Sequence, residues 1–123
     1  MSSADLDIAQ EFRSALEAAL DTGDFGVVVA LLAPDVECVM PQHVLNGVDA
    51  FTEELSRVRP SGRFGIDFED GDWNDRGGGR FSCEVRALYR SKVSDDLSYS
   101  RDRSFELTVR DGKVSRFEMR FAD

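Results

Sequence analysis

The side chains best equipped for chemistry sit in one stretch, Ser98 to Phe121, SYSRDRSFELTVRDGKVSRFEMRF. Side chains alternate across a strand, so residues two apart share a face. Phe105, Leu107 and Val109 share one face, and counting back by twos adds Arg103, Arg101 and Tyr99. Arginines on an otherwise apolar face could hold a carboxylate, enolate or phosphate, because charge-assisted contacts are strong inside a pocket. The opposing reading turns them outward at a bulge or strand end, or neutralises them with acids. A bulge would bring Asp102 and Ser104 inward instead. A buried arginine is costly unless paired, so an inward one needs something anionic beside it.

His43 is the only histidine and follows a predicted strand in the loop Pro41-Gln42-His43. An imidazole at that position could serve as a general base; the plainer reading is a surface residue. Tyr89 and Tyr99 could orient a polar ligand through their hydroxyls, or be core aromatics. Trp73 lies in the polar, glycine-rich stretch DGDWNDRGGG, Asp70 to Gly79, which is expected to be a loop and where it could cap a pocket or pack against a second copy. Cys38 and Cys83 fall in predicted strands and read as small buried thiols rather than a disulfide or a nucleophile. No CxxC or His-rich spacing suggests a metal, and neither metal nor cofactor is expected.

Positioning these groups is the task of the remaining elements. Ile8, Phe12, Ala15, Leu16, Ala19 and Leu20 recur at helical spacing, and Gly23 ends that helix. A second helix is expected from Asp24, carrying Val27, Val28, Leu31 and Leu32 and stopped by Pro34. Asp35 to Met40 alternates as a strand. Leu45-Asn46-Gly47 leads into a third helix with Val48, Phe51, Leu55 and Val58 on one stripe, broken at Pro60-Ser61-Gly62. Phe64 to Phe68 and Phe81 to Tyr89 alternate as strands, and Asp111-Gly112 joins the last two in a hairpin. Helices gathered early and strands late predict an α+β domain, with helices on one face of a curved, mostly antiparallel sheet. Glu84, Arg86, Arg90, Glu106, Thr108, Arg116, Glu118 and Arg120 fall on the other face, as solvated cross-strand pairs or as a dimer contact.

The chain has 123 residues and a formal net charge of -9. That length suits one domain, 1–123, with a core of its own. An acidic balance argues against nucleic acid, whose phosphates need a basic face, and against an anionic membrane. The longest apolar run, Val27 to Ala33, is too short to span a bilayer. MSSADLDIAQ lacks the charged and apolar regions of a signal peptide, so a cytoplasmic location is expected.

In order and spacing the chain resembles the nuclear-transport-factor-two-like superfamily, the cone-shaped, cystatin-like α+β group. That group holds ketosteroid isomerase, limonene epoxide hydrolase, scytalone dehydratase and SnoaL-type polyketide cyclases. The resemblance is carried by Leu20-Asp21-Thr22-Gly23-Asp24-Phe25, Leu31-Leu32-Ala33-Pro34-Asp35-Val36-Glu37, Leu45-Asn46-Gly47-Val48-Asp49-Ala50-Phe51 and Val109-Arg110-Asp111-Gly112-Lys113-Val114. It implies a deep pocket between concave sheet and helices, and homodimerisation. Where a ketosteroid isomerase carries its tyrosine, its basic aspartate and its oxyanion acid, this chain has Leu16, Met40 and Arg103. Arg101-Asp102-Arg103 lacks the arginine and aspartate spacing of the epoxide hydrolases. SnoaL-like cyclases use an inward acid or histidine, which here means His43 or Asp102. Phe12, Leu16, Met40, Phe51, Leu55, Phe105, Phe117 and Met119 form the inward apolar set, as a filled core or, on the resemblance, partly as cavity lining. The resulting expectation is a SnoaL-like protein that binds a small, mainly apolar molecule with an anionic or carbonyl group. Arg101 and Arg103 mark the polar end. If it is an enzyme, cofactor-free cyclisation, isomerisation or dehydration is expected, with His43 or Asp102 as base and Arg103 or Tyr89 on the oxyanion. The alternative is a non-catalytic homodimerisation or partner-binding module, with a filled cone.

Overall fold

The computed structural model describes residues 3–58, 64–69 and 71–121. Asp70 and the predicted break at Pro60-Ser61-Gly62 lie outside the described residues. The chain begins with α1, Ser3–Thr22, which buries Ala9, Phe12, Ala15, Leu16, Ala19 and Leu20 along one side. Gly23 ends it with φ 83° and an N–H to the Ala19 carbonyl, a left-handed stop that suits glycine.

Helix α2, Gly26–Ala30, starts where the Asp24 carboxylate accepts the Gly26 N–H at 3.0 Å. It is shorter than the sequence predicts. Leu32 already opens strand β1, Leu32–Val39, and Pro34 lies inside that strand rather than ending the helix. The ladder between β1 and its parallel neighbour is interrupted between Leu32 and Glu37. A residue without an N–H therefore loses no ladder bond there.

A tight turn, closed by the Met40 N–H on the His43 carbonyl at 2.9 Å, returns the chain as β2, Val44–Asn46, antiparallel to β1. The sequence reads these three residues only as the lead into α3, Val48–Val58. Then come β3, Phe64–Glu69; β4, Asn74–Gly77; β5, Arg80–Ser91; β6, Leu97–Arg110; and β7, Lys113–Phe121. The sheet runs β2-β1-β7-β6-β5-β3, with β4 also on β5. Only the β1–β7 pairing is parallel among the described strands. Seven strands thus form a curled, unclosed, mostly antiparallel sheet, with three helices packed against it.

Strand β4 corrects the loop expected at Asp70 to Gly79. Asn, Asp and Gly are poor strand formers, and all four β4 residues are exposed. Pairing with the start of β5 overrides that preference. Gly71, just before β4, has φ 118°, and a Cβ there would lie 2.5 Å from Val85 Cγ1. Asp111 and Gly112 both have positive φ, 54° and 77°, as a two-residue I′ hairpin requires.

The core is ring-rich. Phe12, Phe51, Phe105 and Phe117 are buried, with centroids 5.0 Å apart for Phe12–Phe117 and 5.3 Å for Phe105–Phe117. Burying each such ring contributes roughly 1.5–3 kcal/mol. From α1, Glu17 accepts the Phe68 N–H and Asp21 the Ile66 N–H of edge strand β3, so the helix covers that edge. On the outer face Arg116 pairs with Glu37 and Glu118, Arg120 with Glu118 and Glu106, and Arg86 with Asp102.

Candidate functional site

A cavity of about 290 Å³ opens between α1, α3, the turn after β1 and the concave face of the sheet. Leu16 and Leu20 of α1, Leu55 of α3, Phe68 of β3 and Phe105 of β6 supply apolar wall. Phe117, Met119 and Phe121 of β7 and Met40 add to it. The polar wall comes from Gln42 and His43 in the turn, Glu54 and Arg57 of α3, and Arg103 of β6.

Glu54 is the best-held polar group. It follows buried Phe51 by three and precedes buried Leu55, and residues three or four apart share a helix face. Its carboxylate is only 8% exposed. His43 Nε2 lies 3.2 Å from Oε2. Arg57 donates from Nε to Oε1 at 3.0 Å and from Nη2 to Oε2 at 2.6 Å. Burial alone would raise the Glu54 pKa, but hydrogen bonds from Arg57 and His43 outweigh it and hold the carboxyl below its ordinary value. An ionised carboxylate accepts only, so the His43 Nε2–H is the donor in this contact.

Arg103 is different. Its Nη2 donates to the Tyr89 hydroxyl at 2.6 Å, and its guanidinium lies 5.5 Å from the Phe121 ring centroid and 5.9 Å from that of Tyr89. Its Nε is buried without a hydrogen-bond partner. No acid pairs with it among the described residues.

The cavity brings together Leu16, Met40, His43, Leu55, Arg103, Phe105, Phe117 and Met119 of the candidate site and inward apolar residues singled out in the sequence. Phe12 and Phe51 sit in the ring cluster and are fully buried rather than on the wall. Tyr89 reaches the site through Arg103. Arg101 stacks on Phe121, 3.5 Å from the ring centroid, and does not line the cavity. Tyr99 is 49% exposed beside Tyr89. Trp73 packs against the core away from the cavity. Asp102 is corrected outright. Regular pairing of β5 with β6 puts it opposite Arg86, to which it is bonded at 3.0 Å while 56% exposed. Neighbours of a cavity-facing strand residue point the other way, so Asp102 is no base for this site.

The sequence reading missed Glu54 and Arg57. The signal was an acid at three residues beyond Phe51, inside the apolar stripe of α3. Cys38 and Cys83 are free and buried, and burial pushes each thiol up to about 12. Neither is a nucleophile at neutral pH. The site's chemical equipment is thus a histidine held by a buried carboxylate, and a cation bonded to a phenol, around an apolar space.

No family model and no curated relative matches this sequence. Among solved structures, the chain is similar to an NTF2-like protein from Anabaena variabilis, at 18% identity over 100% of this chain and 93% of that one, with a TM-score of 0.81. It is similar to a candidate polyketide cyclase from Xanthomonas campestris, at 22% identity over 94% and 90%, TM-score 0.70. A third is a Catenulispora acidiphila protein of ketosteroid isomerase-like fold in complex with trimethylamine, at 13% identity over 90% and 85%, TM-score 0.68. These likenesses show the fold: the NTF2-like, cystatin-like architecture of polyketide cyclase-like and ketosteroid isomerase-like proteins.

Proposed function

We propose that the protein binds a small, mainly apolar molecule in this cavity and acts on it by acid–base chemistry, as a SnoaL-like cyclase, isomerase or dehydratase. The observation that carries the reading is the His43–Glu54 pair, 3.2 Å apart, in the wall of an otherwise apolar cavity. A histidine oriented by a buried carboxylate is the arrangement a general base needs. His43 Nδ1 takes a proton from carbon beside a carbonyl. The carboxylate of Glu54 holds the ring and stabilises the imidazolium that forms. Arg57 keeps that carboxylate ionised. Arg103 and the Tyr89 hydroxyl hold the ligand's anionic or carbonyl oxygen. The fold neighbours support small-molecule binding, one being a candidate polyketide cyclase and one a complex with trimethylamine.

An open cavity supports this reading over a non-catalytic module with a filled cone. The proposal includes a homodimer, and sedimentation velocity at micromolar concentration checks that part by mass.

A thermal-shift panel of aromatic acids, polyketide-like ketones and steroids tests the site, with Leu16→Phe run beside the native protein. Leu16 lines the cavity, so the larger ring fills it. A ligand raises the melting temperature by binding the native state. Compounds that stabilise the native protein and not Leu16→Phe support the cavity as the site. Equal shifts in both proteins contradict it.

A further inference from the structure

We infer that the ligand is a compact monocarboxylate, its charge seated on Arg103 and its apolar body against the phenylalanines. This rests on the cavity's being a small-molecule site. Arg57 and His43 share the Glu54 carboxylate. On the outer face Arg86, Arg116 and Arg120 each have an acid. Arg103 has none among the described residues, although the chain carries 24 acids against 15 bases. It is half-buried, lines the cavity and is matched only by neutral groups: the Tyr89 hydroxyl and two rings. A guanidinium has five N–H donors, and desolvating it without a counter-charge is unfavourable.

The missing anion is therefore supplied from outside. Tyr89 strengthens the case. Its oxygen accepts from Arg103, so its own O–H remains to donate to the same anion. Buried, ionised Glu54 lies in the wall of the same cavity, and a dianion would meet twice the repulsion there, which favours a carboxylate over a phosphate. About 290 Å³ is at the lower end for small-molecule sites, so the body is a single ring or a short chain.

Phenylacetate and its neutral isostere phenylacetamide, titrated calorimetrically into the full chain, test this. The native protein is expected to prefer the acid by roughly tenfold or more, the strength of a hydrogen bond to a charged group. In Arg103→Gln the preference should fall to about one while amide binding persists; Arg103→Lys should restore part of it. Equal binding of acid and amide by the native protein overturns the carboxylate inference and leaves the cavity reading standing. Binding of neither at millimolar concentration overturns both. A preference that survives Arg103→Gln removes Arg103 as the receptor. Where Arg103→Gln does not fold, Tyr89→Phe carries the test: the preference should drop several-fold, and an unchanged ratio overturns the assignment.

Discussion

Glu54 concentrates the site's electrostatics in one buried carboxylate. Its pKa in the folded protein lies below the ordinary 4.5, since bonds from Arg57 and His43 outweigh burial. A depressed carboxylate pKa adds stability that is fully present above the unfolded value and is lost as pH falls through the folded one. Glu54→Gln should therefore cost about 1–2 kcal/mol at pH 7. The deficit should shrink once the pH drops below about 4.5. Urea melts of both proteins at pH 7 and pH 3.5 check this, and a pH-independent deficit would contradict it. His43 and Arg103 were legible as candidates because a lone histidine and an arginine at apolar parity are anomalies in the sequence. The partner of His43 was not. The contact of His43 with Glu54 depends on how a turn is set against a helix, which no local pattern encodes.

At the scale of elements, turn chemistry and alternation were readable, and pairing of weak strands was not. Asp111-Gly112 and the β6 alternation follow from local rules. Strands β2 and β4 have three and four residues and exist because a neighbour offers a ladder. Pro34 misled for the same reason: an interrupted ladder tolerates it. Gly71 holds the approach to β4, where an added Cβ would meet Val85 at 2.5 Å and the Glu84 carbonyl at 2.7 Å, at φ 118°. Gly71→Ala should destabilise by about 2–4 kcal/mol through strain and clash. Gly77→Ala, with open space around it, should cost only about 1 kcal/mol of backbone strain. Urea midpoints of the two variants compare them directly, and equal losses would contradict the packing account.

At the scale of the molecule, three helices on a curled sheet leave an unfilled space at one end of a dense core. No described helix is long and apolar enough to cross a membrane. On the proposed reading the cavity is kept open at the expense of packing, so filling it should trade function for stability. Leu16→Phe is expected to gain about 1 kcal/mol, a rise of about 3–5 °C in Tm for a chain this size, and to lose every ligand response. A variant that melts lower and still responds would contradict this.

The proposed role of His43, held by Glu54, is to remove a proton inside the cavity. It is tested most directly by deuterium wash-in from D₂O into phenylacetone, followed by NMR at neutral pH. The native protein should accelerate exchange next to the carbonyl, and His43→Ala should lose roughly 10²–10⁴-fold of the acceleration. Glu54→Gln should lose a smaller part of it. Exchange that His43→Ala leaves at the native rate would contradict the account.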